Sequence, residues 1–310
     1  MRPDQRNKTC AVSSEQNSDR GTVGAAGAAS IERTASDQRY GGTGPAATSG
    51  AVLVTGGSEG IGFALARHFL EKRHSVVLVA RHEARLGAAL EALWNAKPKG
   101  CALVAVAQDV IEDDAYGTLV QRLAAEGLHI DILINNAAMG LGGTFASHEP
   151  AAIDRLVALN IAAQSRLMHG AIQDMRRRGC GHIINMASLG GYVPGPYQAA
   201  YYASKAYAIS LSEAVDAELR GSGVRVSVVA PGPVDTDFHA SMGAEDAYYR
   251  RLLPSMTPEQ VAASVYRGYR LGLRVIVPGV LNRIMGVALR VLPHPIAVPL
   301  TGWLLKPRAK

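Results

Sequence analysis

The sequence predicts an α/β protein: a single doubly wound domain of about seven parallel strands with helices on both faces. Two observations carry this. From residue 51 onward, short β-branched runs alternate with longer stretches of helical periodicity. The short runs are apolar throughout, not at every second position, as strands covered on both faces by helices must be.

In chain order, "AVLVT" (51–55) opens the sheet and a helix near 60–73 follows it. "SVVLVA" (75–80) precedes a helix near 83–95, and "CALVAVA" (101–107) one near 112–126. "DILIN" (131–135) leads into a long amphipathic helix over 150–177, and "HIINMA" (182–187) into one near 200–220. "VRVSVVA" (224–230) comes before a helix near 257–271, and "RVIVP" (274–278) closes the series. Repeated strand–helix–strand units make right-handed crossovers and so a parallel sheet. Residues 50–280 are therefore expected to form one domain without an internal linker.

The flanks differ from this body. Residues 1–50 carry only Met1, Val12, Val23, Ile31 and Tyr40 as large apolar or aromatic side chains. Burial of so few cannot offset ordering entropy, so residues 1–49 are expected to be a disordered tail. Residues 281–310 read as a basic, apolar C-terminal extension. No aspartate or glutamate occurs from Gln260 to Lys310, a stretch that holds Arg267, Arg270, Arg274, Arg283, Arg290, Lys306, Arg308 and Lys310. Leu281, Ile284, Met285, Ala288 and Leu292 share one helical face, and Trp303 sits among leucines. This pattern fits either a membrane surface or a helix packed on the protein's own body.

Composition excludes several classes. With 48% hydrophobic and 19% charged residues and a net charge of +6, the 310-residue chain has the balance of a soluble globular protein. Cys10, Cys101 and Cys180 form no metal-binding spacing, and their odd number fits a reducing cytosol, so neither a metal site nor a disulfide framework is expected. The N-terminus has no apolar run of a secretory signal, and no stretch reaches the roughly 18 apolar residues of a membrane span. The basic residues belong to no recognisable nucleic-acid module.

"TGGSEGIGFALARHF" places Gly56, Gly60 and Gly62 between the first strand and the first helix. Glycine permits positive φ and close approach of a ligand, and the helix N-terminus beyond offers free N–H groups to a pyrophosphate. After the second strand, "VVLVARHEAR" puts Arg81 where an acidic residue would accept a ribose hydroxyl; an arginine there holds a 2′-phosphate instead. Arg85 follows one turn later. Glu59 opposes this reading, because a carboxylate in the glycine loop repels phosphate. "QAAYYASKAYAIS" (198–210) holds two tyrosines, but only Tyr201 has a lysine, Lys205, one helical turn away. Chemistry at this stretch would therefore belong to Tyr201 and packing to Tyr202; the bland alternative is a surface helix face.

With these pieces in order, residues 50–240 resemble the short-chain dehydrogenase/reductase family. The motifs are "TGGSEGIG" (55–62), "NNAA" (135–138), Asn160 in "ALN", Ser188 in "NMASLGG", Tyr201 with Lys205, and "PGPVDT" (231–236). Ala138 stands where that family more often has glycine. The resemblance implies a Rossmann-type fold and hydride transfer between NADP(H) and a carbonyl or alcohol. It implies catalytic roles for Asn160, Ser188, Tyr201 and Lys205. It also implies cofactor contacts from Gly56, Ser58, Glu59, Gly60, Ile61, Gly62, Arg81, Asp109, Val110, Asn136, Ala137, Pro231, Val234 and Thr236, besides Tyr201 and Lys205.

The chemistry of these residue types agrees. A lysine ammonium beside a phenol is expected to lower its pKa from about 10 and tune it for proton transfer. Ser188 would stabilise charge on a substrate oxygen, and Asn160 would hold a water joining Lys205 to solvent. Their alternatives are a turn cap for Ser188 and a partner for backbone groups beside a helix kink for Asn160. Segments 190–198 and 237–256 are apolar enough to favour a hydrophobic substrate. A homo-oligomer is expected from the resemblance. A nucleotide-binding regulator without catalysis would be expected to have lost Ser188, Tyr201 or Lys205, and all three are present.

Overall fold

The computed structural model describes residues 49–243 and 247–306; residues 1–48 of the expected N-terminal tail, Arg308 and Lys310 lie outside the described residues, and Ser49, expected to end that tail, opens the first strand instead. Seven strands form one parallel sheet: β1 Ser49–Thr55, β2 Ser75–Ala80, β3 Leu103–Ala107, β4 Leu128–Asn135, β5 Gly181–Met186, β6 Val224–Val229 and β7 Val275–Ile276. Their order is β3-β2-β1-β4-β5-β6-β7, so the winding direction reverses between β1 and β4. Ligands of such sheets bind beyond the carboxyl ends of the strands at that reversal. The fold is Rossmann-type.

The helices are α1 Gly60–Glu71, α2 Glu83–Trp94, α3 Ala115–Ala125, α4 Pro150–Val157, α5 Gln164–Arg178, α6 Ala199–Glu218, α7 Phe238–Ser241, α8 Tyr249–Leu252, α9 Pro258–Arg270, α10 Val280–Val291 and α11 His294–Leu305. Successive strand residues feed two cores. Val52, Val54, Leu78 and Ile134 meet Leu65 and Phe69 of α1 and Val265 of α9. Their neighbours Leu53, Val77, Val79 and Leu133 meet Leu119 of α3 and Leu167 and Met175 of α5. Both faces of each central strand are buried, which is why the strands are apolar without alternation.

The structure differs from the sequence expectation in several places. Strand β3 begins at Leu103, and β7 keeps only two residues of the expected 274–278. The long helix over 150–177 is interrupted by a π-helical segment, Ala158–Ala163. A π segment inserts an extra residue per turn and is frequent at functional sites. The C-terminal residues form two helices, α10 and α11, which fold back over the carboxyl ends of the strands.

Candidate active site

One cleft of about 1380 Å³ runs over the carboxyl edge of the sheet. Every candidate catalytic or cofactor-binding residue named from the sequence lines it except Gly62 and Asn160. Gly62 lies just behind the wall, where a Cβ would collide with the Gly56 carbonyl, so this position admits no side chain without rearrangement.

At one end lies the glycine loop. Gly56 has φ +63° and Gly60 φ +54°, the left-handed region that favours glycine. Glu59 precedes α1 and makes no side-chain cap, so the first N–H groups of that helix have no such partner. The "NNAA" segment is tied to this loop: Thr55 Oγ1 accepts the Asn136 and Ala137 N–H groups at 2.9 and 3.0 Å. Asn136 Nδ2 donates to the carbonyls of Thr55 and Gly56 at 3.0 and 3.2 Å. These bonds clamp the ends of β1 and β4 together at the reversal. Thr55 was not a sequence candidate; its place directly before the first loop glycine is the signal that marks it.

Arg81 is exposed at the lip of the cleft, its Nε 3.0 Å from His82 Nε2. Glu59 does not stand alone. Arg85 Nη1 reaches its Oε2 at 3.0 Å, so the expected repelling carboxylate is locally paired. Both partners are more than 60% exposed, which makes the pair weak and exchangeable (62% and 63%). Asp109 is held by its own turn, accepting the Ile111 N–H at 3.1 Å. Pro231 accepts the Leu189 N–H at 2.9 Å, and Thr236 packs across the loop from Gly60.

In the middle of the cleft, α6 presents Tyr201 and Lys205 one turn apart. Lys205 is buried; its Nζ donates to the Met186 carbonyl at 2.9 Å and stands 5.6 Å from the Tyr201 ring centre. Burial pushes the amine from 10.5 down to about 8. The Tyr201 phenol is shifted the other way. Burial raises it well above 10, the neighbouring Ser188 hydroxyl pulls it partly back, and Tyr249 adds to the rise. The expected depression is thus corrected: burial, which disfavours the phenolate, sets the direction of the shift.

Ser188 Oγ caps the turn, one of the two readings made of it, by accepting the Gly190 N–H at 3.1 Å, and it neighbours the Tyr201 phenol. Tyr202 packs its ring over Gly190, where a Cβ would stand 2.8 Å from the phenol Cζ. Asn160 sits in the π segment, outside the cleft. Its Oδ1 accepts the Met139 N–H at 2.9 Å, and its Nδ2 donates to the Met139 carbonyl at 2.8 Å and to Ser204 Oγ at 3.0 Å. Both amide protons are taken, so this side chain partners backbone beside the kink. It positions the "NNAA" loop against α6. Behind it, Asn135 donates to Asn185 at 2.9 Å and Asn185 to Ser212 at 2.8 Å, a buried chain between β4, β5 and α6 that sequence reasoning missed.

The far end of the cleft is apolar. Leu189, Val193, Phe238 and Met242 line it, together with Met285 and Leu289 of α10, Leu292 just after it, and Leu304 and Leu305 of α11. One polar pair interrupts it: Tyr249 Oη lies 2.7 Å from His239 Nδ1. The C-terminal helices are attached by Thr301 Oγ1 donating to the Pro194 carbonyl at 2.9 Å and by Arg290, which pairs with Glu213 at 3.5 Å and lies over Tyr192.

The pK of Lys205 makes a prediction about rate. Its charge is present below about pH 8 and lost above it. If that charge assists turnover, kcat/KM for carbonyl reduction, which reports the free enzyme, falls as pH rises through this value. Lys205→Arg keeps its charge throughout and removes the inflection. A wild-type profile flat across that range would show that the lysine charge does not assist turnover.

Comparison with known proteins agrees with this geometry. The short chain dehydrogenase family pattern matches residues 50–247. The ketoacyl reductase HetN of Nostoc sp. is 36% identical over 187 residues, which cover 60% of this chain and 64% of HetN. The 3alpha-hydroxysteroid dehydrogenase of Mediterraneibacter gnavus is 31% identical over 61% of this chain and 76% of its own. Among solved structures, a short-chain dehydrogenase from Sphingobium yanoikuyae in complex with NADPH superimposes with a TM-score of 0.68 at 31% identity, covering 74% of this chain and 88% of that one. The chain belongs to the short-chain dehydrogenase family.

Proposed function

We propose that the protein transfers hydride between NADP(H) and the carbonyl or alcohol of a hydrophobic substrate, with Tyr201 as the proton-transfer group. The observation that carries this is one cleft joining a glycine loop and an arginine lip to an apolar end, with Ser188, Tyr201 and Lys205 between them.

The residues present fit a dinucleotide. Two left-handed glycines and an uncapped helix N-terminus receive a pyrophosphate, and Arg81 at the lip meets a 2′-phosphate. When bound, such a cofactor supplies or accepts the hydride. The chain's own groups do the rest. A phenol held protonated by its surroundings is suited to donate, so Tyr201 gives its proton to the oxygen of a carbonyl under reduction. Ser188, its lone pair fixed by the Gly190 N–H, donates its own proton to that oxygen as negative charge grows. Lys205, while charged, favours the phenolate left behind. The Sphingobium neighbour was solved with NADPH, which supports the cofactor choice.

A screen of ketones and alcohols with NADPH and NADP tests the reading. Turnover of apolar ketones is the expected result; tight NADPH binding with no turnover of any carbonyl would make the chain a binder only. Filling the apolar end should sort substrates by size. Leu289→Trp is expected to raise KM for long-chain ketones by roughly tenfold and leave small ketones nearly unchanged. Equal effects on both would place the substrate elsewhere.

A lipid-pathway ketoreductase is the second reading, and the length of the apolar wall built by α10 and α11 favours it. Two of the relatives are a ketoacyl reductase and, at 29% identity, a 3-oxoacyl-[acyl-carrier-protein] reductase of Chlamydia muridarum. A homo-oligomer belongs to the same proposal and is read by light scattering.

A further inference from the structure

Helices α10 and α11 are apolar on two sides, and only one side is used inside the protein. The inner faces wall the cleft. Opposite them on α10, Val280, Ile284, Val287 and Val291 follow one another at helical spacing, and each is between 62 and 74% exposed. On α11, Ile296, Leu300 and Trp303 repeat the pattern at 45 to 57%. The sequence reading of a single apolar face through Leu281, Ile284, Met285, Ala288 and Leu292 is therefore corrected. Met285, Ala288 and Leu292 line the cleft, whereas Leu281 and Ile284 face solvent. Exposed apolar residues at this density mark a surface that is covered by something.

Charge and position say what covers it. Arg283, beside the α10 stripe, and Lys306, at the end of α11, are exposed, and no acidic residue occurs anywhere after Glu259. An apolar stripe bordered by Arg283 and Lys306 complements an anionic lipid surface. A second copy of the chain fits it less well, because a two-fold contact would set this positive border against itself. Trp303 is half-exposed and stacks on Tyr248 with ring centres 5.6 Å apart, a rigid aromatic pair of the kind that sits at a lipid–water boundary. Leu300 also lines the cleft, although it lies between Ile296 and Trp303 on the exposed face. The cleft therefore opens at this apolar surface.

We propose that the outer faces of α10 and α11 seat the protein on an anionic bilayer, so that the cleft behind them loads its apolar substrate from the lipid side. No described helix is long and apolar enough to cross a membrane, so the contact lies in the interface plane. The docking goes beyond hydride transfer; only the loading route rests on that reading.

The test is co-sedimentation of the full chain with phosphatidylcholine vesicles, with and without phosphatidylglycerol. Wild type is expected to sediment with the anionic vesicles, and less so at high salt. The triple variant Ile284→Glu, Val287→Glu, Val291→Glu changes exposed positions that do not line the cleft. Its partition should fall by at least about tenfold, since each buried valine-sized side chain contributes about that factor. Its melting temperature and its turnover of a small water-soluble ketone should match wild type. A milder variant with serine at the same three positions should lie between the two, which separates lost docking from damaged folding. Wild type left in the supernatant with anionic vesicles, or a triple variant that sediments as well as wild type, would overturn the proposal. So would a triple variant whose only change is a smaller oligomer, because the surface would then join copies of the chain. Vesicle binding without any carbonyl turnover would leave the docking standing and remove the hydride-transfer reading alone.

Discussion

Replacing Tyr201 by phenylalanine is expected to lower kcat by roughly 10²–10⁴-fold, the usual worth of a positioned proton donor. The variant deletes one oxygen and leaves the ring where it packs, 5.6 Å from Phe238 and 6.1 Å from Tyr202. NADPH affinity, titrated directly, should therefore hardly move, and the fold should keep its melting temperature. Tyr202→Phe supplies the control on the same helix. That ring fills the space over Gly190 and has no lysine one turn away, so its variant should stay within a few-fold of wild type. Similar losses in both variants would remove Tyr201 from its proposed role. Because burial holds the Tyr201 phenol protonated, reduction should show the full loss at neutral pH. Oxidation, which needs the phenolate first, should be slow in wild type there and speed up as pH rises.

The strand order and both cores were legible because burial on two faces leaves a mark at every position of a strand. "AVLVT" and "SVVLVA" carry no polar residue between their ends, and only a covered strand tolerates that. The cleft was legible as a set of motifs, four of them lying where strands β1, β4, β5 and β6 end and one, Tyr201 with Lys205, on α6. Contacts between distant segments left no mark. The run "ALNIAA" has ordinary helical periodicity, and its π geometry coincides with the bonds from Asn160 to Met139 and Ser204, 21 and 44 residues away. The direction of the Tyr201 shift escaped for the same reason: its lysine is four residues off, but the burial and Tyr249 come from elsewhere in the fold. Periodicity found α10 apolar, yet it does not separate a face turned to a cleft from one turned to solvent. Glu59 and Arg85 were both noticed, and only the fold shows that they meet.

That meeting sharpens the prediction with the second-largest effect. If Arg81 holds the 2′-phosphate, it does so by charge-assisted hydrogen bonds that NADH cannot make. Such bonds contribute roughly 1.5–3 kcal/mol, so Arg81→Ala should weaken NADPH by about tenfold to a hundredfold or more. NADH should change little, and Arg81→Asp should turn the preference toward it. Arg85 lies one turn further along and is engaged by Glu59 at 3.0 Å. Glu59→Ala both removes a negative charge from the lip and releases this second guanidinium, so it should tighten NADPH by a few-fold. Arg85→Ala leaves Glu59 bare beside the phosphate and should weaken NADPH. Adding Glu59→Ala to that variant should recover most of the loss. The recovery is diagnostic, because it appears only if the pair acts on the cofactor through its net charge. Equal weakening of NADH and NADPH by Arg81→Ala would instead make that arginine a structural group, and the NADP(H) assignment would fall with it.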